Sequence, residues 1–232
     1  MMKFNKRSKT DGAETPRRRP VARQEPAPRV AILILAAGFG RRMNGADKLM
    51  KLVDDMPLLR RTALRAILSG HDVLVTVPGP DHPRATLLAP MALTLVPVPD
   101  NAEGMAASLR RGVAALPEAC DAVMVVPADM PELTLADFAR VIRVFQTDPD
   151  RRLTRGASAD GRPGHPVLFP RRLFGVLQGL TGDQGARQIV EAEGDAVTIV
   201  ALEGEHALVD LDTPEAWDAW LRAYEAAQNP PQ

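Results

Sequence analysis

Short apolar runs alternate with longer amphipathic stretches through the middle of the chain. The clearest apolar runs lie at 30–35, 72–77 and 121–126, and a shorter one lies at 92–96. Runs of this length, closed by glycine, proline or polar residues, are typical of strands that are buried on both faces of a parallel sheet. The pattern therefore predicts four such strands.

Apolar residues at helical spacing fill the intervals between these runs. In the segment 57–68 they recur every three or four positions, with Pro57 suited to the first turn and Gly70 to the stop. Thr134 is a candidate N-cap for a later helix. The remaining helices are predicted at 84–90, 101–116 and 134–145.

Alternating strands and helices indicate an α/β fold. We expect a three-layer, mostly parallel twisted sheet with helices on both faces and right-handed crossovers, the Rossmann-like arrangement. Sheets of this kind bind ligands at the carboxyl ends of their strands. The loops that follow Leu35, Val77, Val96 and Val126 should therefore lie on one edge of the sheet.

The last third of the chain is less regular. Residues 146–164 are polar and rich in Arg, Asp and Gly, which predicts a mobile loop before a strand that contains His165. Residues 196–200 and 206–209 predict two late strands. An amphipathic helix should follow, with Pro214 in its first turn.

The length of the chain suits one large α/β domain or two small ones, and a single domain is predicted. The chain has 232 residues, of which 45% are apolar and 25% charged, and no apolar run approaches the roughly 20 residues of a membrane span. We therefore expect a cytoplasmic protein without membrane contact. The single cysteine, Cys120, excludes an internal disulfide and a cysteine-based metal cage, and a small filler near a strand start is favoured over a nucleophile.

The ends of the chain look different from the domain at about 30–226. Residues 1–29 hold nine Lys or Arg and three Asp or Glu residues, a formal charge of +6, and many prolines. Such a segment buries too little surface to fold, so a disordered basic tail is predicted at 1–29, with a short tail at 227–232. A dispensable tail is favoured over an arm for nucleic acid or an acidic partner.

The stretch 30–49 has the composition of a phosphate-binding loop. Small residues 36–38 and Gly40 follow a buried strand, and Arg41, Arg42 and Lys48 come next. Backbone N–H groups and fixed cations suit the oxygens of a polyphosphate. Neither a Walker A loop nor a complete dinucleotide fingerprint is present. A plain strand-to-helix turn with solvated basic residues is the structural alternative.

Carboxylates and one histidine supply further candidate chemistry. Asp129 follows an apolar strand between two prolines, where it could hold a divalent ion or merely form a turn. Asp210 and Asp212 point to the same side of an extended segment, although Thr213 caps the helix beside them. His165 could be a catalytic base, but a structural or ligand-contacting role is favoured.

Several motifs resemble one family, the MobA-like nucleotidyltransferases. LAAGFGRRMNGADKL at 35–49 is similar to its signature loop, and the form LAAG is usual in the branch that resembles molybdenum cofactor cytidylyltransferase. The resemblance covers about 30–225. The other similar segments are NAEGMAASL at 101–109, PADMP at 127–131, GRPGHPVLF at 161–169, LTGDQGAR at 180–187 and DLDTPE at 210–215.

The resemblance implies an enzyme that uses Mg²⁺ to transfer a nucleotidyl group, with CTP as donor and molybdenum-bound molybdopterin as acceptor. It implies a nucleotide half at about 30–130 and an acceptor half at about 131–226. Catalysis would rest on Arg42, Lys48 and Asp129, and the metal on Asp129 and Asp212. Nucleotide contacts would come from Leu35, Ala36, Ala37, Gly38, Gly40, Arg42, Lys48, Pro78, Asn101, Gly104 and Ser108, and acceptor contacts from His165, Asp183 and Asp210.

Three alternatives stay open at this point. A related transferase could use GTP or a sugar or alditol phosphate. A non-catalytic maturation factor could bind the cofactor and deliver it to a molybdenum hydroxylase; Ala128, where the family usually has glycine, and the extra residue between Met43 and Lys48 keep that reading open. A hydride-transfer enzyme is the least supported of the three.

Overall fold

A seven-stranded sheet forms the centre of the protein. The computed structural model describes residues 26–38, 46–182 and 185–228. The strand order in the sheet is β5-β4-β1-β6-β8-β7-β9, and β2 and β3 form a separate two-stranded ribbon. The strands are β1 Val30–Leu35, β2 Leu52–Val53, β3 Met56–Pro57, β4 Asp72–Val77, β5 Thr94–Pro97, β6 Ala122–Pro127, β7 Thr154–Ala157, β8 Pro163–Pro170 and β9 Thr198–Ala201.

The sheet is mostly parallel, as predicted. β1 pairs in parallel with β4 and β6, and β4 pairs in parallel with β5. Among the described strands of this seven-stranded sheet, only β8 runs antiparallel to its neighbours, β6 and β7, and β7 and β9 are again parallel. The loops after β1, β4, β5 and β6 consequently lie on one edge of the sheet, as expected.

Helices cover both faces of this sheet. Their bounds are α1 Leu58–Leu68, α2 Pro83–Leu88, α3 Met105–Ala114, α4 Leu135–Thr147, α5 Phe174–Gln178, α6 Arg187–Glu193 and α7 Pro214–Gln228. Thr134 caps α4 as predicted, and its side chain and that of Asp137 form a reciprocal capping box. Within the described parts of the chain, none of these helices is long and apolar enough to cross a membrane.

Two apolar cores explain why the central strands read as continuous apolar runs. Val30, Ile32 and Ile34 of β1 belong to one core, which also contains residues of α1, α2, α4 and α7. Ala31 and Leu33 belong to the other core, with residues of α3, α5 and α6. Alternate side chains of one strand thus enter opposite cores, as expected for a sheet enclosed by two helical layers.

Two predictions for the last third of the chain are wrong. The expected loop at 146–164 contains β7, a strand whose Arg155 and Gly156 give no apolar signal, because β7 is defined by pairing with β8 and β9. The expected strand at 206–209 is mainly a turn over 204–208. The carbonyl of Ala207 in this turn accepts the backbone N–H of His165 at 2.8 Å, which is one isolated strand-like contact.

The chain ends near the predicted domain limits are also partly described. The Arg29 N–H donates to Asp121 Oδ2 at 2.8 Å, and the Gln146 side-chain amide donates to the carbonyl of Pro28 at 3.1 Å. These contacts attach residues 28 and 29, predicted as tail, to the base of the sheet. Residues 1–25 lie outside the described residues, and α7 continues to Gln228.

Gly164 provides a test of this packing, because it lies where β8 meets the 204–208 turn. A Cβ at Gly164 would lie 1.9 Å from the carbonyl oxygen of Ala207 and 2.7 Å from its carbonyl carbon. Both of these are backbone atoms, so they cannot move aside as the end of a flexible side chain can. We predict that Gly164→Ala lowers the free energy of unfolding by about 1–3 kcal/mol, measured by urea denaturation. Gly175→Ala is the matched control, since a Cβ there meets nothing within 4 Å. Equal urea midpoints for the two variants would contradict the prediction.

Candidate active site

Lys48 joins two carboxylates that are far apart in the chain. Its ammonium donates to Asp129 Oδ2 at 2.6 Å and to Asp212 Oδ1 at 2.5 Å. Asp129 follows β6, Asp212 precedes α7, and Lys48 begins a single 3₁₀ turn at 48–50. The structure therefore brings together three side chains that the sequence analysis assigned to the reaction, at the carboxyl edge of the sheet.

The cluster is poorly exposed, and its charges are coupled. Lys48 is 8% exposed. Burial would lower the pKa of Lys48, but the charges and hydrogen bonds of Asp129 and Asp212 outweigh it and raise the pKa above the ordinary value. Burial, followed by the charges of Asp212 and Asp129, raises the pKa of Asp210. Asp210 thus adds a third carboxyl group to the same acidic neighbourhood.

Backbone contacts hold the segments of the cluster together. The N–H of Leu211 donates to the carbonyl of Asp129 at 3.2 Å, and the N–H of Ala128 donates to that of Leu35 at 3.2 Å. Arg65 of α1 donates to the carbonyls of Pro131 and Leu133, both at 2.7 Å. Ala128, where the resembling motif usually has glycine, is 1% exposed and is not among the described non-glycine residues with positive φ. The alanine is therefore accommodated without backbone strain.

The predicted phosphate loop begins with three carbonyls that side chains satisfy. Arg84 Nη1 donates to the carbonyl of Ala36 at 2.6 Å and to that of Gly38 at 2.7 Å. Asn101 Nδ2 donates to the carbonyl between them, that of Ala37, at 2.9 Å. These carbonyl oxygens are thus held on protein donors and not directed toward a phosphate, whose oxygens they would repel. The sequence predicted the loop but not the arginine.

The second predicted nucleotide segment lies against the first. Gly104 precedes α3 with φ +108°, a backbone conformation that favours glycine. Ser108 in the second turn of α3 is 5% exposed. The N–H of Ala106 donates to the carbonyl of Gly182 at 3.3 Å, which connects α3 to the loop that follows α5. Pro78 lies in the bend directly after β4, on the same edge of the sheet.

His165, which the resemblance assigns to the acceptor, lies in β8. Burial, followed by the positive charge of Arg155, lowers the pKa of His165 to about 4. Its Nδ1 is buried and has no hydrogen-bond partner within the described structure. Arg155 Nε donates to the carbonyl of Gly164 at 2.9 Å, next to the histidine in the chain. A neutral imidazole beside a guanidinium suits contact with an acceptor better than proton abstraction.

Some expected site residues cannot be placed. Gly40, Arg42 and Asp183 lie outside the described residues. Over 26–38, 46–182 and 185–228, no group of three or more His, Cys, Asp or Glu side chains is arranged to hold a metal ion. At this edge of the sheet two described carboxylates, Asp129 and Asp212, converge on the Lys48 ammonium. Two carboxylates suit Mg²⁺ when phosphate and water complete its ligands.

Fold and site together define a class of protein. The mostly parallel seven-stranded sheet with helices on both faces is the Rossmann-like fold of solved nucleotidyltransferases. The crystal structure of Rv0371c from Mycobacterium tuberculosis is similar, with a TM-score of 0.71 and 27% identity over 85% of this chain and 100% of that one. A structure of that mycobacterial protein in complex with manganese gives a TM-score of 0.66 at 24% identity, covering 84% of this chain and 99% of that one.

Residues 32–197 match the model of the MobA-like NTP transferase domain, and the chain belongs to this family. It is therefore a nucleotidyltransferase. A probable molybdenum cofactor guanylyltransferase of Synechococcus elongatus is 29% identical over 82% of this chain and 96% of its own length. The purine catabolism protein PucB of Bacillus subtilis is 26% identical over 82% of this chain and 95% of its own length.

The lowered pKa of His165 generates a pH prediction. Because the folded-state pKa is about 4 and the ordinary value is 6.5, the unfolded chain binds the extra proton between these pH values. Stability should therefore fall as the pH decreases from about 6.5 to about 4, and His165→Gln should lack this contribution. NMR titration of the imidazole, assigned with that variant, should show no protonation at pH 6. A midpoint near the ordinary value would refute the prediction.

Proposed function

We propose that this protein is a Mg²⁺-dependent cytidylyltransferase that acts on molybdenum-bound molybdopterin. A terminal phosphate oxygen of the acceptor attacks the α-phosphorus of CTP, the bond from that phosphorus to the β-phosphate oxygen breaks, and pyrophosphate leaves. The observation that carries the proposal is the convergence of Lys48, Asp129 and Asp212 beside the small-residue loop. GTP in place of CTP is the second candidate.

The protein's contribution to such a transfer is positioning and charge stabilisation, because phosphoryl chemistry needs little covalent help. Lys48 would neutralise charge on the triphosphate and on the leaving pyrophosphate. Gly38 and Gly40 would let backbone N–H groups approach phosphate oxygens, with Arg42 as a second cation. These roles follow the family motif, and the raised pKa of Lys48 supports a lysine that stays charged throughout the working pH range.

A divalent ion fits the donor set at Asp129 and Asp212. The two carboxylates already share one cation, the Lys48 ammonium, which engages one oxygen of each. Mg²⁺ prefers one or two carboxylates together with phosphate oxygens and water. When bound, the ion would neutralise charge that develops on the phosphates. The manganese complex of the mycobacterial relative supports a divalent ion in this fold.

The proposed substrates rest on the motifs and on the relatives. The name of the Synechococcus relative supports a molybdenum cofactor as acceptor, and also favours GTP as the second candidate donor. The LAAG form of the loop supports CTP. Ala37, the residue that distinguishes LAAG from LAGG, is fully buried and packs with Val98 and Ala107.

The acceptor would contact His165, Asp183 and Asp210. His165 supports this assignment through its unpartnered Nδ1 on the acceptor side. Asp210 supports it through its position beside the Lys48 cluster, since the charges of Asp212 and Asp129 contribute, after burial, to its raised pKa. A molybdenum hydroxylase, or its maturation factor, would receive the product.

The donor is tested by measuring pyrophosphate release from CTP, GTP, ATP and UTP, each with molybdenum-bound molybdopterin and Mg²⁺. We expect release with CTP to exceed release with the other three nucleotides. Omission of the pterin is the control, because hydrolysis without an acceptor also releases phosphate products. Preferential release with GTP would show that GTP is the donor. Equal pyrophosphate release with and without the pterin would refute the proposed acceptor.

The roles of Lys48 and Asp129 are tested by substitution. We predict that Lys48→Ala and Asp129→Asn each lower kcat by about 10²–10³, the typical effect of removing a group that stabilises developing charge. Lys51→Ala is the matched control, because Lys51 lies three residues further on and contacts Asp218 at 3.8 Å outside the cluster. Transfer by Asp129→Asn at the wild-type rate in Mg²⁺ would remove that residue from the proposed machinery.

A further inference from the structure

Arg84 is a buried arginine that connects both ends of the phosphate loop. It lies in α2 and is 3% exposed. On one side its Nη1 donates to the carbonyls of Ala36 and Gly38. On the other side its Nε and Nη2 donate to the two carboxylate oxygens of Asp47, each at 2.8 Å. One planar guanidinium thus holds both the start of the loop, at Ala36 and Gly38, and its far end, at Asp47.

Asp47 passes this constraint directly to Lys48. The carboxylate of Asp47 also accepts the N–H of Leu49 at 3.1 Å and so caps the 3₁₀ turn that begins with Lys48. The carbonyl of Asp47 accepts the N–H of Met50 at 3.0 Å in the same turn. The orientation of this turn determines where the Lys48 ammonium lies, and a bidentate arginine contact restricts a carboxylate in direction as well as in distance.

Arg84 is itself held in place. Its own N–H donates to His82 Nδ1 at 3.2 Å, which caps α2. Ala36 is also held through the preceding peptide, since its N–H donates to the buried hydroxyl of Thr76 at 3.1 Å. Because a trans peptide directs its C=O and N–H groups in opposite directions, holding the Ala36 carbonyl also sets the direction of the next N–H, that of Ala37.

We infer that Arg84 is a positioning residue of the transferase, which acts through Asp47 to orient Lys48 and through two carbonyls to orient the start of the phosphate loop. The inference rests on the proposed function in one respect, the role of Lys48 toward the triphosphate. In the described part of the chain the partners of Arg84 are His82, Asp47 and two loop carbonyls, and the proposed metal ligands Asp129 and Asp212 are not among them. Its effect should therefore appear as misplacement of Lys48, and a displacement of about 1 Å at a reacting centre can lower a rate about 100-fold.

The test compares Arg84→Met with Arg171→Met. Arg171 is a matched control, because its Nη1 also donates to two carbonyls, those of Glu118 and Cys120, but at the opposite edge of the sheet. We expect Arg84→Met to lower kcat about 10- to 100-fold with a smaller change in KM, measured well below the melting temperature of each variant. Arg171→Met should keep the wild-type kcat even if its melting temperature falls.

Hydrogen exchange gives a readout that does not depend on the reaction. The amides of Leu49, Met50 and Lys51 are bonded within the Asp47-capped turn, so they should exchange faster in Arg84→Met, while amides of α1 should not. Asp47→Asn is the second variant if Arg84→Met does not fold, since it weakens the same contact and should give the same two effects.

The possible failures are distinguishable. Wild-type kcat in a folded Arg84→Met or Asp47→Asn protein, or unchanged exchange at 49–51, would overturn the inference. If the wild-type protein transfers no nucleotide, the proposed function fails, and the exchange experiment alone then decides whether Arg84 orients the Lys48 turn.

Discussion

The site depends on one buried ammonium that two distant carboxylates neutralise. Lys48 is separated from Asp129 by 81 residues and from Asp212 by 164. A buried charge that loses its partner typically destabilises a protein by about 3–5 kcal/mol. The buried Lys48 ammonium is therefore stable only when folding has brought both carboxylates to it. The pairing of β6 with β1 and the return of the chain before α7 therefore assemble the site as part of folding.

A second constraint concerns the backbone of the loop. Small residues let a ligand approach the backbone closely. They also expose the backbone carbonyl oxygens to that ligand, and these oxygens repel phosphate. In this protein Arg84 and Asn101 hold the carbonyls of Ala36, Ala37 and Gly38. The donors come from α2 and from the turn before α3, and both elements follow neighbouring strands of the sheet. The parallel arrangement thus supplies the loop with its supports as well as its ligand-binding edge.

The sequence predicted the elements that have a local hydrophobic pattern, and it missed those that form only through tertiary pairing. β4 was predicted with its observed bounds, because a strand buried on both faces has an apolar signature of its own. β7 was missed, because Arg155 and Gly156 form a strand only through their neighbours. Lys48 and Asp129 were predicted separately, as ligands of phosphate and metal, but their direct ion pair was not. Nothing near Arg84 in the sequence distinguishes it from a solvated arginine.

Electrostatics link these features to the proposed reaction. Asp129, Asp210 and Asp212 share one edge of the sheet, and burial, followed by the charges of Asp212 and Asp129, raises the pKa of Asp210. A triphosphate brought to this edge adds further negative charge, so attraction requires cations between the two. Lys48 is such a cation within the described structure, and it is already engaged by both aspartates. A divalent ion and the basic residues of the loop are therefore what the proposed transfer requires to bring a triphosphate to an acidic edge.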